Sequence, residues 1–143
     1  MRDMTREEID KLIKEWTWGT VMVVDSDKPY GVEVAYYTDG NYIYMISSPL
    51  GRTAHSFKRN QNVAFKICDT DLKFKRWRAV IVEGKIEKVT KKEDILTAFK
   101  LLAKRMGRSD GHYEKVAEKH SNEPEKSPVH RIPIEVVGGR CNF

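Results

Sequence analysis

The dipeptide Asp39-Gly40 limits the folds open to this chain more than any other feature. It stands between two strand-like segments, residues 30–37 and 41–47, in which apolar and aromatic residues dominate. Asp-Gly is typical of the two-residue turn of a β-hairpin. Such a tight connection joins only antiparallel strands, because a parallel pair needs a crossover of a dozen or more residues. The sequence therefore predicts an antiparallel sheet here and argues against a doubly wound parallel fold.

Helices are predicted on both sides of this hairpin. Thr5 and Glu8 have the spacing of a capping box, in which each side chain bonds the backbone N–H of the other. Apolar residues at helical spacing follow, so residues 6–16 are predicted to form an amphipathic helix. The same spacing predicts a short helix over residues 52–60 and a longer one over residues 91–106. Residues 107–128 are polar and are predicted to hold a short helix and a mobile loop.

The remaining strands are predicted at residues 20–24, 62–69, 73–88 and 129–137. The first is apolar and β-branched throughout, which is typical of a strand buried on nearly both faces. Gly84 indicates a bend in its strand, and Gly138-Gly139 is predicted to end the last one. About six strands in meander order, with short helices between them, predict a mainly β fold. We expect one domain over residues 1–143, a six-stranded antiparallel barrel.

Composition excludes several classes of protein. The chain has 143 residues and a net charge of +5, which permits an anionic ligand or nucleic acid and proves neither. No segment is apolar enough to span a membrane, and the charged N-terminus does not fit a secretory signal. Two cysteines are too few for a disulfide framework, and Cys68 is predicted to lie in the core. The four histidines lack the spacing of a metal site. These features predict a cytoplasmic protein without a metal.

The segment SSPLGRTAHSFKRN, residues 47–60, carries the strongest functional signal. Ser47 and Ser48 follow a strand, and Gly51 would allow close approach of the backbone to a ligand. Arg52 and Thr53 lie at the predicted helix start, where free N–H groups and a guanidinium favour a phosphate. The alternative interpretation is an ordinary connector, in which Ser48 or Thr53 caps the helix and Arg52 is a solvated charge.

A second pattern is found in residues 73–78, where basic and aromatic residues alternate. This composition suits single-stranded nucleic acid, whose bases stack on aromatic rings. It equally suits the edge of a sheet that is protected by charges, and we prefer that interpretation. No nucleophile motif accompanies either pattern.

Several segments together resemble a known family. They are GTVMVV at 19–24, PYGVEVAY at 29–36, IYMISSPLGRTAH at 43–55, NQNVAF at 60–65, AVIVEGKIE at 79–87 and RIPIE at 131–135. In this order and spacing they resemble the pyridoxamine 5′-phosphate oxidase-like FMN-binding split barrels. The chain looks closest to the small flavoproteins of the nitroimidazole-resistance type.

The resemblance implies a split barrel that binds FMN at the interface of a homodimer. Two sets of residues correspond to the family's cofactor site. Along the isoalloxazine ring these are Glu33, Val34, Ala35 and Tyr36; around the phosphate they are Ile46, Ser47, Ser48, Gly51, Arg52 and Thr53. Arg52 matches the phosphate-binding arginine, whereas Thr53 replaces a usual lysine and Glu33 a frequent proline.

The activity that the resemblance implies is electron transfer from a reduced nicotinamide to a small aromatic or nitro-aromatic acceptor. No residue is assigned as catalytic. A flavin carrier or regulatory barrel is one alternative, and a barrel that binds single-stranded nucleic acid is another.

Overall fold

The computed structural model describes all 143 residues. Ten strands occur in chain order: β1 (Arg2–Asp3), β2 (Trp18–Asp25), β3 (Lys28–Ala35), β4 (Tyr37–Thr38), β5 (Tyr42–Ile46), β6 (Asn62–Thr70), β7 (Trp77–Lys85), β8 (Glu87–Lys88), β9 (Val129–Pro133) and β10 (Val136–Cys141). They form a six-stranded sheet in the order β1-β10-β7-β6-β2-β3 and a four-stranded sheet in the order β4-β5-β9-β8. Every neighbouring pair is antiparallel. The predicted fold class, an antiparallel split barrel, is confirmed.

Ten strands appear where about six were expected. Three of the additional strands arise because long strands break and pass between the sheets, and the fourth is the short β1, which was not predicted. β3 becomes β4 at Tyr36, β7 becomes β8 at Ile86, and β9 becomes β10 after Pro133. The prediction that Gly138-Gly139 ends the last strand is wrong, since β10 continues to Cys141. A Cβ on Gly139 would lie 2.9 Å from the Met4 sulfur. Gly139 therefore allows β10 to pack closely against Met4, and it does not end the strand.

Four helices connect the strands: α1 (Arg6–Glu15), α2 (Arg52–Arg59), α3 (Lys92–Arg105) and α4 (Glu114–Asn122). Each predicted helix is confirmed to within two residues, and a 3₁₀ turn (Pro124–Lys126) follows α4. Both hydrogen bonds of the predicted capping box at Thr5 and Glu8 are present. None of the helices is long and apolar enough to cross a bilayer.

The larger core lies between the two sheets and α1, and a second cluster joins the four-stranded sheet to α3 and α4. Two predictions about burial are wrong. On β2 only one face is fully buried, since Val21 and Val23 are covered whereas Trp18 is 55% exposed. Cys68 is exposed, because the alternation of β6 turns Phe65 and Ile67 inward and Cys68 outward.

Candidate functional site: a groove along the open edge of β3

β3 lies at the edge of the six-stranded sheet, next to the point where the chain passes to the four-stranded sheet, and we call the strip along this open edge the groove. β3 is an edge strand that pairs only with β2. β4, its continuation, pairs with β5 through Tyr37 and Tyr44, and the pairing goes no further toward β3. In the same register, Ala35 would stand across from Ile46, and Val34 across from Ser47. Unpaired backbone groups therefore line the groove from both strands, and such groups can bind a ligand.

The predicted ring-binding segment lies along this groove, but two of its side chains have other partners. The carboxylate of Glu33 accepts a hydrogen bond from the Thr20 hydroxyl. Tyr36 is only 3% exposed, and its hydroxyl donates to the Ile13 carbonyl at 2.7 Å. Burial raises the pKa of Tyr36 well above its usual value, so it is no acid at neutral pH. Tyr36 can therefore meet a ligand in the groove only through its backbone.

The start of α2 borders the same groove and has no cap. Gly51 is the N-cap residue, and no side chain accepts a hydrogen bond from the first turn. Ser48 instead accepts from the Leu50 N–H at 3.3 Å. The alternative interpretation, in which Ser48 or Thr53 caps the helix, is therefore wrong about the cap. Thr53 is half-buried in that first turn. An uncapped helix start carries partial positive charge on free N–H groups, which is the standard setting for an anion.

Arg52 is held in place by two contacts. Its Nε donates to Asp25 Oδ2 at 2.6 Å, and its guanidinium lies 3.8 Å from the centre of the Tyr30 ring. Since Asp25 engages only Nε, the two terminal nitrogens stay available as a fork. The side chain is 50% exposed. Arg52 is thus an ordered surface cation that points donors toward solvent at the helix start.

A buried histidine supports the loop between β5 and α2. The Nδ1 of His130 lies 3.4 Å from the Ser47 hydroxyl, and its ring centre is 5.0 Å from that of Phe57. Burial, together with nearby Lys88, lowers the pKa of His130 to about 4 despite a backbone contact at Pro128. It is therefore neutral at pH 7. Sequence reasoning missed this residue, because its burial depends on β9 pairing with β5, where His130 stands opposite Met45.

From Tyr30 to Tyr36 the groove runs roughly 20 Å along β3, at about 3.3 Å per residue. One end has the Arg52 fork and the free N–H groups of α2. The rest offers strand backbone between partly apolar walls. This donor set fits an elongated ligand with a phosphate at one end.

The basic hairpin at residues 71–76 shows a different arrangement from a nucleic-acid platform. Asp71 organises the turn by accepting from the Lys73 and Lys75 N–H groups. Arg78 is paired with Asp69 at 2.8 Å and with Glu15 at 3.6 Å. The Arg76 guanidinium stacks 3.6 Å from the centre of the Phe143 ring. Two of the predicted cations are thus engaged within the protein, which does not favour a nucleic-acid platform. The preferred interpretation, a charged sheet edge, is wrong as well, because residues 73–76 lie in a turn and β7 is flanked by β6 and β10.

The outer face of the six-stranded sheet has no helix over it. One row of directly opposed residues crosses the face and ends at the groove: Gly138, Ile81, Lys66, Thr20 and Glu33. Large apolar side chains on the same face are exposed: Trp18 by 55%, Val24 by 37%, Ile81 by 43% and Val136 by 61%. Lys66, Thr20 and Glu33 lie among these side chains, so the face is mixed. Exposed apolar residues on an uncovered sheet are typical of an interaction surface.

Comparison with known proteins decides the family. The sequence model described as pyridoxamine 5′-phosphate oxidase matches residues 5–141. The chain belongs to the pyridoxamine 5′-phosphate oxidase family. No curated protein matches the chain significantly.

Solved structures show the same fold at low sequence identity. A proposed 5-nitroimidazole antibiotic resistance protein from Bacteroides thetaiotaomicron superposes with a TM-score of 0.81 at 18% identity, over 98% of this chain and 86% of that one. A FAD-binding protein from Mesorhizobium loti matches with a TM-score of 0.68 at 21% identity, over 99% and 98%. A FAD-binding protein from Mycobacterium smegmatis gives 0.71 at 14% identity, over the whole of both chains.

Proposed function

We propose that this family member is a homodimeric FMN-binding oxidoreductase that passes electrons from a reduced nicotinamide to a small aromatic or nitro-aromatic acceptor. The observation that carries the proposal is the uncapped start of α2, with the Arg52 fork, at one end of the open β3 edge. Solved proteins of the same fold are FAD-binding proteins, and family membership supports a flavin in this chain as well.

The residues of the groove have separate tasks in this proposal. Arg52 and the first N–H groups of α2 hold the phosphate, with charge-assisted hydrogen bonds that are stronger than neutral ones. The free backbone edge of β3 around Val34 orients the ring. The flavin itself supplies the hydride chemistry. No side chain in the groove is placed as an acid or base, because Tyr36 is buried and His130 lies beneath the loop.

The positive charge at the helix start supports a ligand that ends in a phosphate, as FMN does. A phosphate monoester carries about −1.5 to −2 charges at pH 7. The arginine and the helix end supply about +1 and +0.5. These charges meet at one place, as a terminal monoester requires, and the Asp25 carboxylate beside them would oppose further negative groups.

The homodimer part of the proposal rests on the uncovered sheet face. A second copy packed there would cover Trp18 and Ile81 and would reach Glu33 at the rim of the groove. A stable interface buries roughly 1,200–2,000 Å² or more, which a six-stranded face can provide. Each groove would then be completed by the partner subunit.

Light scattering tests the dimer directly. We expect a dimer at micromolar concentration and dissociation in the Ile81→Glu variant, which replaces an exposed apolar side chain of the outer face with a carboxylate. Met106→Glu is the matched control, because Met106 is 56% exposed but lies at the end of α3, away from that face. A monomeric wild-type protein would contradict the shared site.

The flavin is tested by spectroscopy of the purified protein. We expect a yellow preparation that releases FMN on denaturation, identified by mass spectrometry, and quenching of added FMN fluorescence by the flavin-free protein. Anaerobic bleaching by NADH or NADPH, followed by reoxidation with a nitro-aromatic compound, tests the activity. A chain that binds FMN but does not turn over would be a flavin carrier, and one that binds no flavin would overturn the proposal.

A further inference from the structure

A second cleft lies beside Tyr36, where β3 passes into β4. It has a volume of about 610 Å³ and is enclosed by the end of α1, the β4–β5 turn and the end of α3. This volume lies in the range typical of small-molecule sites. Of the residues predicted for the cofactor, only Tyr36 lines it. The cleft is therefore not the groove described above.

The cleft combines an apolar floor with an aromatic wall. Ile13, Tyr36 and Ile134 are buried, and Trp16 is half-buried at its side. Arg105 closes one end, where its Nη2 donates to the Trp16 carbonyl at 2.6 Å and so ties α3 to the end of α1. The walls are fixed by these contacts, so the cleft is preformed and would bind without a large ordering cost.

The acidic side chains at the cleft have partners within the protein, whereas two of its lysine side chains have none. Asp39 accepts hydrogen bonds from the Asn41 and Tyr42 N–H groups, both at 2.9 Å. Asp10 is paired with Arg6 at 2.8 Å. The side chains of Lys14 and Lys104, in the last turns of α1 and α3, form no hydrogen bond or ion pair in the protein.

We infer that this cleft is a second binding site for a small aromatic carboxylate or a similar apolar anion. The ring system would lie on the apolar floor beside Trp16, and the anionic group would pair with Lys14 and Lys104 at the rim. The cleft as a whole still attracts such a ligand, because its lining contains three cations and two acids. The site requires no flavin, so it stands independently of the proposed function.

The test uses 1-naphthoate as the probe and the uncharged 1-naphthalenemethanol as its match. Binding is followed by ¹H–¹⁵N NMR of the full chain, without FMN and with FMN at saturation. We expect 1-naphthoate to shift the amides of residues 38–40 and 104–105 in both conditions, and to bind about ten-fold more tightly than the alcohol. Its affinity should fall as salt is added, because exposed charges are screened.

Charge-reversal variants identify the cations that hold the probe. Lys14→Glu combined with Lys104→Glu should weaken 1-naphthoate at least ten-fold and leave the alcohol unchanged. Lys11→Glu combined with Lys100→Glu is the matched control, because these residues lie on the same two helices and do not line the cleft. Four results would overturn the inference: equal affinity for the alcohol, no effect of the first variant, displacement of 1-naphthoate by FMN, or shifts confined to the outer sheet face.

Discussion

The starts of α1 and α2 show two ways of treating the same backbone groups. At α1, Thr5 and Glu8 satisfy the free N–H groups reciprocally, and Arg2 adds an ion pair to Glu8 at 2.7 Å. At α2, Gly51 offers no side chain, the first turn contains no acid, and Arg52 stands beside it. The N–H groups at the start of α1 are bonded by side chains of the protein. Those at the start of α2 have no side-chain partner and stay available to a ligand. The residues at the start of α1 thus stabilise the helix, whereas those at the start of α2 are suited to binding an anion.

The largest expected difference between the two regions is in their response to acid. The folded-state pKa of His130 is about 4, below the ordinary value of 6.5, because of burial. Between these values the unfolded chain binds the extra proton, so stability falls as pH falls from 6.5 to 4. The loss should be roughly 2–3 kcal/mol, at 1.36 kcal/mol per pKa unit.

Chemical denaturation of the wild type and of His130→Phe across this pH range measures the effect. The variant lacks the imidazole of residue 130, so its free energy of unfolding should depend less steeply on pH. The α1 start should contribute only at the acid end of this range and below it. Hydrogen bonds from Arg2 and the Thr5 backbone lower the pKa of Glu8 from 4.5 to about 2, so the stability it adds is lost as pH falls between these two values. Parallel curves for the two proteins would refute the role of His130.

Arg52→Ala should weaken FMN binding about ten- to a hundred-fold, since a charge-assisted hydrogen bond contributes roughly 1.5–3 kcal/mol. The fold should be unaffected, because the side chain is half-exposed and packs in no core. Arg6→Ala at the start of α1 is the matched control: Arg6 is 52% exposed and is paired with Asp10 in the same manner. FMN titration by fluorescence decides the comparison. Equal affinities of the two variants would make Arg52 an ordinary surface charge.

Thr5→Ala should lower the free energy of unfolding by about 1 kcal/mol, the usual cost of losing an N-cap. Ser48→Ala should change it by less than about 0.5 kcal/mol, because Ser48 does not cap α2. Urea denaturation of the two variants measures both values. If Ser48→Ala costs as much as Thr5→Ala, the start of α2 is stabilised by a cap and is not open.

Ser47→Ala should reduce FMN affinity about two- to ten-fold, since a neutral hydrogen bond contributes roughly 0.5–1.5 kcal/mol. The same titration with riboflavin, which lacks the phosphate, is the control and should show no change. A loss that is equal for both ligands would place Ser47 at the ring and not at the phosphate.

Asp25→Asn should raise FMN affinity by up to about five-fold. The amide oxygen can still accept from Arg52 Nε, so the fork keeps its position, while one negative charge near the phosphate is removed. An exposed charge contributes roughly 0.2–1 kcal/mol, which sets this limit. Asp27→Asn, in the adjacent turn, is the control. Weaker binding by Asp25→Asn would show that the carboxylate charge itself is needed to hold the arginine.

Local sequence signals predicted the elements of this fold well. The hairpin at Asp39-Gly40, the Thr5–Glu8 capping box and the long helix at α3 each depend on residues close in sequence, and each is present. The predicted two-residue turn is wrong, however, because Thr38 pairs with Ile43 and the four residues 39–42 lie between them. The family resemblance supplied the split barrel. The breaks at Tyr36 and Ile86 could not be predicted, because they depend on which sheet each half of a strand joins.

The site was predictable only in part. The sequence singled out residues 47–53, but it gave no indication that Asp25 and Tyr30 would hold Arg52, since they come from a hairpin more than 20 residues earlier. His130 was missed for the same reason. Cys68 was misplaced because the phase of alternation in β6 is fixed by its partners across the sheet.

The three strand crossings affect how the protein unfolds. Because Tyr36, Ile86 and Ile134 each belong to a chain segment that runs through both sheets, neither sheet can detach without pulling on the other. The two sheets should therefore form one cooperative unit. In native-state hydrogen exchange, the slowest amides of β5 and β9 should open together with those of β6 and β7.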